Sequence, residues 1–158
     1  MKKILIAIDY DPSAQKVAET GYQLAKAMNA SVVLLHVVAE PSYYSSMDYS
    51  PIMGFTGFMG VTDPNIPELN EELKRESLRF LEESKAHLGD ENIRTVIVEG
   101  IFSEAILEVA KNEAADIIVL GTHSRHGLDK LLMGSVAEKV FHHSSIPLFI
   151  IPTGEIKK

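Results

Sequence analysis

The sequence predicts an α/β fold in which helices cover both faces of a parallel sheet. Five short apolar runs alternate along the 158 residues with segments of helical periodicity. The runs are continuously apolar, which indicates strands that are covered on both faces. Strands and helices that alternate in this way are typical of parallel sheets with right-handed crossovers. We therefore expect one domain spanning residues 1–158.

Two strands and the helix between them are predicted in the first part of the chain. The strands are Lys3–Ile8 and Ser31–Val38, and Asp11 or Ser13 can cap the helix. Residues at helical spacing form the inward face of this helix: Val17, Gly21, Leu24, Ala25 and Met28. His36 lies inside the second strand, and we interpret it as a core or edge histidine with satisfied hydrogen bonds rather than as a ligand.

Residues 41–66 form a long insertion after the second strand. The segment is rich in aromatic residues and methionine, set among glycine, serine and proline without a sustained period. A loop of this length inside a compact domain is uncommon and is usually functional or disordered. Its apolar content is too high for a solvated linker. Two interpretations remain: it covers a neighbouring site or packs on another subunit, or it is a mobile insertion without a role.

A helix, a strand and a second helix follow the insertion. The first helix, Pro67–Leu88, ends at Gly89, and its apolar face consists of Leu69, Leu73, Leu78, Leu81 and Ala86. The third strand is predicted over Arg94–Val98. Ser103 is expected to cap the next helix, whose inward residues are Ile106, Leu107 and Ala110.

The fourth strand, Asp116–Leu120, leads through a polar loop into a helix that opens at Gly134 and Ser135. Ser135 and Glu138 have the spacing of a capping box, which specifies the helix start. Such a start carries unpaired N–H groups and the positive end of the helix dipole. Arg125 adds charge, and the loop glycines let the backbone approach a ligand closely. The segment therefore predicts a phosphate site, with an ordinary strand-to-helix connection as the alternative.

The composition argues against several classes of protein. A net charge of −7 disfavours a nucleic-acid-binding surface, which needs a basic face. The absence of cysteine excludes disulfides, thiolate metal sites and a cysteine nucleophile, and it fits a reducing cytoplasm. The first apolar run is too short for a signal peptide, and no run is long enough to cross a membrane. We expect a soluble cytoplasmic protein with neither nucleic acid nor membrane as a partner.

Motifs of several enzyme and signalling classes are missing from the sequence. It contains no phosphate-binding P-loop, no G-x-G-x-x-G after the first strand and no G-x-S-x-G elbow. A phospho-acceptor receiver domain needs an aspartate after the third strand and a lysine after the fifth, where this chain has Glu99 and Thr153. His123 and His126 lack a third ligand nearby, so we expect no dedicated transition-metal site. We find no candidate set of nucleophile, base and orienting group.

The spacing of the loop after the fourth strand resembles that of a known family. Gly121-x-x-Ser124, nine residues and then Gly134-Ser135 closely resemble the G-x-x-G-(nine residues)-G-[ST] signature of the universal stress protein family. The resemblance covers nearly the whole chain outside 41–66, including KKILIAID, LLHV, ADIIVLG, GSVAEKV and IPLFII. One position departs from it. Nucleotide-binding members have a second glycine against the phosphates, where this chain has Ser124, a small residue able to donate a hydrogen bond.

The resemblance implies a particular sheet. It is a three-layer, doubly wound half-Rossmann fold of the adenine-nucleotide alpha hydrolase type, with five parallel strands in the order 3-2-1-4-5. Strands 1 and 4 are then neighbours, and the order reverses between them. Ligands of open α/β sheets bind at such a reversal, beyond the carboxyl ends of the strands. Those ends are Asp9 and Gly121, so an acidic residue is expected to meet the phosphate loop there.

The resemblance also implies the ligand, ATP, with Mg²⁺ carried by its phosphates. Adenine would lie at the ends of strands 1 and 2, against Ile8, Asp9 and Val37, held by backbone groups and apolar walls. The ribose and phosphates would follow the loop and the helix start, lined by Gly121, Thr122, Ser124, Arg125, Gly134, Ser135 and Val136. Arg125 would add a charge-assisted bond to the outer phosphates.

A homodimer formed through the last strand, Pro147–Ile151, is a further implication, since a flat apolar edge left uncovered invites aggregation. The expected function is that of an ATP-binding regulatory protein that signals stress or energy status to a protein partner. It is not expected to be an enzyme, apart from slow incidental hydrolysis. The alternative is a nucleotide-free dimeric adaptor of the same fold. Ser124 keeps this alternative open, whereas Gly121, Gly134 and Ser135 favour nucleotide binding.

Overall fold

The computed structural model describes residues 1–10, 12–39, 66–122 and 135–153, with only the backbone for 66–70. The strands in these ranges are β1 (Lys3–Ala7), β2 (Ser31–Val38), β3 (Arg94–Glu99), β4 (Ile117–Gly121) and β5 (Leu148–Ile151). The helices are α1 (Ala14–Ala27), α2 (Ile66–Leu88), α3 (Phe102–Asn112) and α4 (Ser135–His143). The predicted insertion at 41–66 falls almost entirely outside the described residues, so both interpretations of it stay predictions.

The sheet is parallel throughout, and its strand order is β3-β2-β1-β4-β5. This confirms the predicted three-layer α/β fold. The central strand β1 pairs with β2 on one side and β4 on the other, so that Leu5 stands between Val33 and Ile118. Because the order reverses between β1 and β4, the crevice in which open α/β sheets bind ligands is expected at the carboxyl ends of these two strands.

Each face of the sheet has its own apolar core. Ile4 and Ile6 of β1 pack toward α1 and α2, whereas Leu5 between them packs toward α3 and α4. Successive residues of a strand point to opposite faces, so a strand covered on both sides is apolar at every position. This explains why the strands appear in the sequence as continuous apolar runs.

Helix α1 approaches the sheet closely at Gly21. A Cβ atom at this position would lie 2.8 Å from Cδ1 of Ile6 and 3.1 Å from Cγ1 of Val119, closer than side chains normally pack. The glycine predicted on the inward face of this helix is therefore needed for α1 to lie against β1 and β4.

Two residues predicted on the inward face of α2, Leu78 and Ala86, are exposed. Leu73 and Leu81 are buried as expected, but Leu78 is 47% exposed. Ser77 takes the inward position instead: it is fully buried, and its Oγ lies 2.9 Å from the hydroxyl of Tyr10. Residues 73, 77 and 81 are four apart and so share one face of a helix, and this geometry outweighs the greater hydrophobicity of leucine.

Several expectations about the helix ends were also wrong. Met28 is 37% exposed at the end of α1, and Ala86 is exposed near the end of α2. Ser13 occupies the capping position of α1, but its side chain makes no capping hydrogen bond there, and the alternative cap Asp11 lies outside the described residues. Helix α3 begins two residues earlier than a Ser103 cap requires, because Ile101 occupies the capping position and Ser103 is buried inside the first turn.

Candidate functional site

The carboxyl ends of β1, β2 and β4 bring four of the predicted site residues together. The β1–β4 register, carried two residues past its last pair, sets Ile8 beside Gly121. The β1–β2 register, carried on equally, sets Asp9 beside Val37. These positions meet at the edge of the sheet where the strand order reverses.

The backbone of Ile8 is held firmly at this edge. Its N–H donates to the carbonyl of Leu35 at 2.9 Å. Its own carbonyl accepts a hydrogen bond from Nδ1 of His36, also at 2.9 Å. The Ile8 side chain is buried on the α1 and α2 face. Both polar backbone groups of Ile8 are thus engaged within the protein.

The backbone N–H and C=O of Val37 differ from those of Ile8 in their hydrogen bonding. The carbonyl of Val38 accepts the N–H of Gly100 at 2.9 Å, so Val38 directs its backbone groups toward β3. Neighbouring residues of a strand direct these groups to opposite sides, and Val37 therefore faces β1. Within the described residues, no hydrogen bond joins the N–H or the C=O of Val37 to β1, and the carbonyl of Ile8 accepts Nδ1–H of His36. The edge thus offers one donor and one acceptor side by side.

His36 links the end of β1 to α2. The carbonyl of Ile8 can only accept, so Nδ1 of His36 carries the proton of this hydrogen bond. The ring packs edge-on against Tyr10 and Phe80, with centroid separations of 4.6 and 5.8 Å. Burial lowers the pKa of the imidazole to about 4, although the hydrogen bond with Ile8 acts in the opposite direction. His36 is therefore neutral at pH 7, and its interpretation as a satisfied core histidine is confirmed.

Gly121 and Thr122 fasten the end of β4 to its neighbours. A Cβ at Gly121 would lie 2.9 Å from Cγ2 of Val17 and 3.0 Å from Cγ2 of Thr153, so internal packing alone requires glycine here. The N–H of buried Thr122 donates to the carbonyl of Ile151 at 3.0 Å, and its hydroxyl oxygen accepts the N–H of Thr153 at 3.0 Å. Both residues thus have structural roles in addition to their place beside the crevice.

Helix α4 follows β4 and begins at Ser135, which is exposed, while Val136 is half-buried. Ser135 is the first helical residue, and Glu138 lies 3.8 Å from Nε2 of His142. The helix therefore begins one residue before the start that a Ser135 cap predicts, and the predicted capping box stays a prediction. The remaining predicted ligand residues of this segment lie outside the described residues: Ser124, Arg125 and Gly134.

Comparison with known proteins identifies the family. The family model described as the universal stress protein family matches residues 1–152. The chain belongs to the universal stress protein family. One relative, universal stress protein MJ0577 of Methanocaldococcus jannaschii, is 31% identical over 95% of this chain and 94% of its own. Universal stress protein YxiE of Bacillus subtilis is 30% identical over 94% of this chain and 97% of its own.

Solved structures of universal stress proteins share the fold. The MJ0577 structure matches with a TM-score of 0.72 at 29% identity, covering 98% of this chain and 97% of that one. A universal stress protein in complex with cAMP matches with a TM-score of 0.60, covering 97% of this chain and 98% of that one. At 20% identity, the second likeness concerns the fold alone.

A surface depression of this universal stress protein lies away from the crevice, between α2 and the edge strand β3. It is lined by Glu71, Lys74, Arg75, Leu78, Ile97, Val98 and Glu99. Nζ of Lys74 lies 3.6 Å from the carboxylate of Glu99 and 3.8 Å from that of Glu71, so charges within the protein are paired across it. The sequence pattern predicts only a solvated helix face here, and the depression arises where that face meets β3.

Two further findings concern the described part of this universal stress protein. None of its helices is long and apolar enough to span a membrane. In the same residues, no three histidine, aspartate or glutamate side chains are grouped so that they could hold a metal ion.

Proposed function

We propose that this universal stress protein binds ATP in the crevice between β1 and β4 and acts as a nucleotide-dependent regulatory factor of the stress response. The observation that carries the proposal is the pair of backbone groups on Val37, an N–H donor beside a C=O acceptor at the open edge. The pairing edge of adenine has the complementary arrangement, since N1 accepts and the N6 amino group donates. A single strand residue can therefore bind this edge of the base with two hydrogen bonds.

The remainder of the nucleotide fits the same edge of the sheet. Asp9, which is exposed, stands beside Val37 by register and offers a carboxylate to the ribose hydroxyls. Helix α4 follows β4 and so begins at the carboxyl edge, where the exposed Ser135 and the positive helix end favour phosphate groups. Mg²⁺ would arrive on the phosphates and keep most of its waters, which requires few protein ligands.

Other features support a regulatory role for the bound nucleotide. The family relative in complex with cAMP carries an adenine nucleotide, which supports this ligand class. His36 is enclosed in the core and bonded to Ile8, so it is not placed to act as a general base, and this supports binding rather than catalysis. We propose that the protein is not an enzyme, that any hydrolysis is slow and incidental, and that occupancy signals to a protein partner in the cytoplasm.

Calorimetric titration with ATP and Mg²⁺, after removal of any co-purified nucleotide, tests the proposal. We expect a dissociation constant in roughly the micromolar range. Asp9→Asn is expected to weaken binding about tenfold, because a charge-assisted hydrogen bond is lost. The matched control Asp90→Asn, before β3 at the opposite end of the sheet, should leave the affinity unchanged.

Gly134→Val is a second test variant, since a side chain directly before α4 would obstruct the predicted phosphate cradle. It should abolish binding while circular dichroism shows an unchanged fold. An unaltered protein that binds no nucleotide and carries none through purification would support the adaptor alternative instead.

We further propose that the protein forms a homodimer through β5. Among the described residues this strand pairs only with β4, and Phe149 on it is 36% exposed. Sedimentation at micromolar concentration is expected to show a dimer, and Phe149→Lys should convert it to a monomer. Thr95→Lys on β3, the opposite edge strand, serves as the control and should leave the dimer intact. A monomeric profile for the unaltered protein would contradict this assembly.

A further inference from the structure

We propose that His36 is a positioning residue for base recognition, because its side chain takes the carbonyl that would otherwise bind the N–H of Val37. The residue does not touch the nucleotide. It acts by ending the β1–β2 hydrogen-bond ladder one step early. This inference rests on the proposed ATP site and assigns to it the residue that keeps the adenine-binding edge open.

The ladder between β1 and β2 shows what is displaced. In this parallel pair, an N–H donates to the carbonyl of the residue that precedes its partner. Ile8 stands opposite His36 by register, and its N–H follows the rule by donating to Leu35. Val37 stands opposite Asp9, so the same rule would direct its N–H to the carbonyl of Ile8. That carbonyl accepts Nδ1–H of His36 instead, at 2.9 Å.

The packing of the imidazole explains how the ring can compete with the ladder. His36 is only 5% exposed. Its ring lies against Tyr10 and Phe80, and the hydroxyl of Tyr10 is itself held by Ser77 at 2.9 Å. Tyr10 and the α2 residue Phe80 hold the imidazole ring in one orientation, in which the Nδ1–H group points at the carbonyl of Ile8. Because the ring is already fixed, forming this hydrogen bond costs no further side-chain conformational entropy.

The open backbone groups of Val37 would also determine which base the site prefers. An N–H and a C=O left open on Val37 match adenine, but they oppose hypoxanthine, which presents an N1–H donor and an O6 acceptor. A protein built in this way should distinguish ATP from inosine triphosphate by the base alone. If the N–H of Val37 donated to the carbonyl of Ile8 instead, one of the two hydrogen bonds to the base would be lost. Much of the preference for ATP over inosine triphosphate would then be lost as well.

Two substitutions distinguish the effect of the Nδ1–H donor of His36 from the effect of its ring packing. His36→Phe keeps an aromatic ring against Tyr10 and Phe80 but removes the N–H. His36→Asn places an amide N–H close to the position of Nδ1 and should restore its function.

The first measurement uses nucleotide-free protein and detects scalar coupling across hydrogen bonds by NMR. In the unaltered protein we expect no coupling between Val37 N and the Ile8 carbonyl carbon, and a coupling between Nδ1 of His36 and that carbon. In His36→Phe the coupling from Val37 should appear, and in His36→Asn it should again be absent. A Val37–Ile8 coupling in the unaltered protein would overturn the proposal.

The second measurement compares ATP with inosine triphosphate by calorimetry. We expect the unaltered protein and His36→Asn to prefer ATP by roughly tenfold or more, and His36→Phe to lose most of this preference. An unchanged preference in a folded His36→Phe would refute the positioning role. If the unaltered protein binds neither nucleotide, the proposed ATP site fails, whereas the coupling measurement still decides what His36 does to the ladder.

Discussion

Replacing Leu81 by alanine is expected to lower the free energy of unfolding by about 2–5 kcal/mol. Leu81 lies in the middle of α2 and is fully buried in the core that α1 and α2 form over the sheet. Truncation removes apolar surface from that core and leaves a cavity that surrounding side chains fill only partly. Urea denaturation followed by circular dichroism measures the loss.

Leu78→Ala on the same helix is the matched control. Leu78 has the same side chain but is 47% exposed, so its truncation should change the free energy of unfolding by less than about 1 kcal/mol. Equal losses from the two substitutions would mean that α2 is turned on its axis relative to the structure. The pair therefore tests the orientation of α2, which the sequence pattern predicted incorrectly at Leu78.

Acidification from pH 7 to pH 4 is expected to reduce the free energy of unfolding by about 3 kcal/mol through His36 alone. Burial lowers the pKa of this histidine to about 4 in the folded protein, whereas the ordinary value of 6.5 applies to the unfolded chain. Above pH 6.5 neither state binds the proton, so the stability is unaffected. Between pH 6.5 and 4 only the unfolded chain takes it up, and the stability falls; below pH 4 both states are protonated, and the loss is complete.

Urea denaturation at a series of pH values measures this dependence, with His36→Phe as the reference. The variant should show a flatter profile between pH 6.5 and 4, since it lacks the titrating group. Hydrogen bonds lower the pKa values of Glu19 and Asp90, and these carboxyl groups contribute to acid sensitivity in both proteins alike. Parallel profiles for the two proteins would show that His36 does not carry the effect.

The inner strands β1, β2 and β4 were predictable because they are buried on both faces, and the edge strands β3 and β5 keep apolar runs although they are only partly buried. Ser31–Val38 was predicted with its observed bounds, β1, β3 and β5 differ from prediction by one residue at one end, and β4 is shifted by one residue at both ends. When a continuous apolar run is bounded by turn residues, the first and last residues of the strand can be predicted closely. The strand order could not be predicted from the sequence pattern, because periodicity does not specify which strands are neighbours. The resemblance to the family supplied it, and the structure confirms it.

Helix ends and faces were less predictable, because they depend on tertiary contacts. Ser103 is a good capping residue by local rules, yet α3 begins after Ile101, and the serine is buried in the first turn. Ser77 of α2 takes the inward position that bonds the hydroxyl of Tyr10, and these two groups meet only when β1 and α2 are packed together. No local pattern encodes such a pairing between residues 67 positions apart.

The site was predictable in location but not in detail. Ile8, Asp9, Val37 and Gly121 come together because parallel strands end at one edge, which the sequence allows one to foresee. Which backbone groups stay open at that edge depends on a side chain crossing from β2 to β1. The available signal was a histidine interrupting an otherwise apolar run, and its partner could not be identified without the fold.

The two edges of the sheet differ in charge, and this limits how copies of the protein can assemble. Along β3, Nε of Arg94 lies 3.1 Å from Glu113, and the hydroxyl of Thr95 donates to Glu82 at 2.8 Å. Charged groups along an edge strand discourage another strand from pairing there, whereas Leu148–Ile151 carries none. Molecules with two receptive edges can add to one another without end and form filaments. Molecules that associate through a single receptive edge close on themselves after two copies, and the charged groups beside β3 therefore disfavour fibrous growth through that edge.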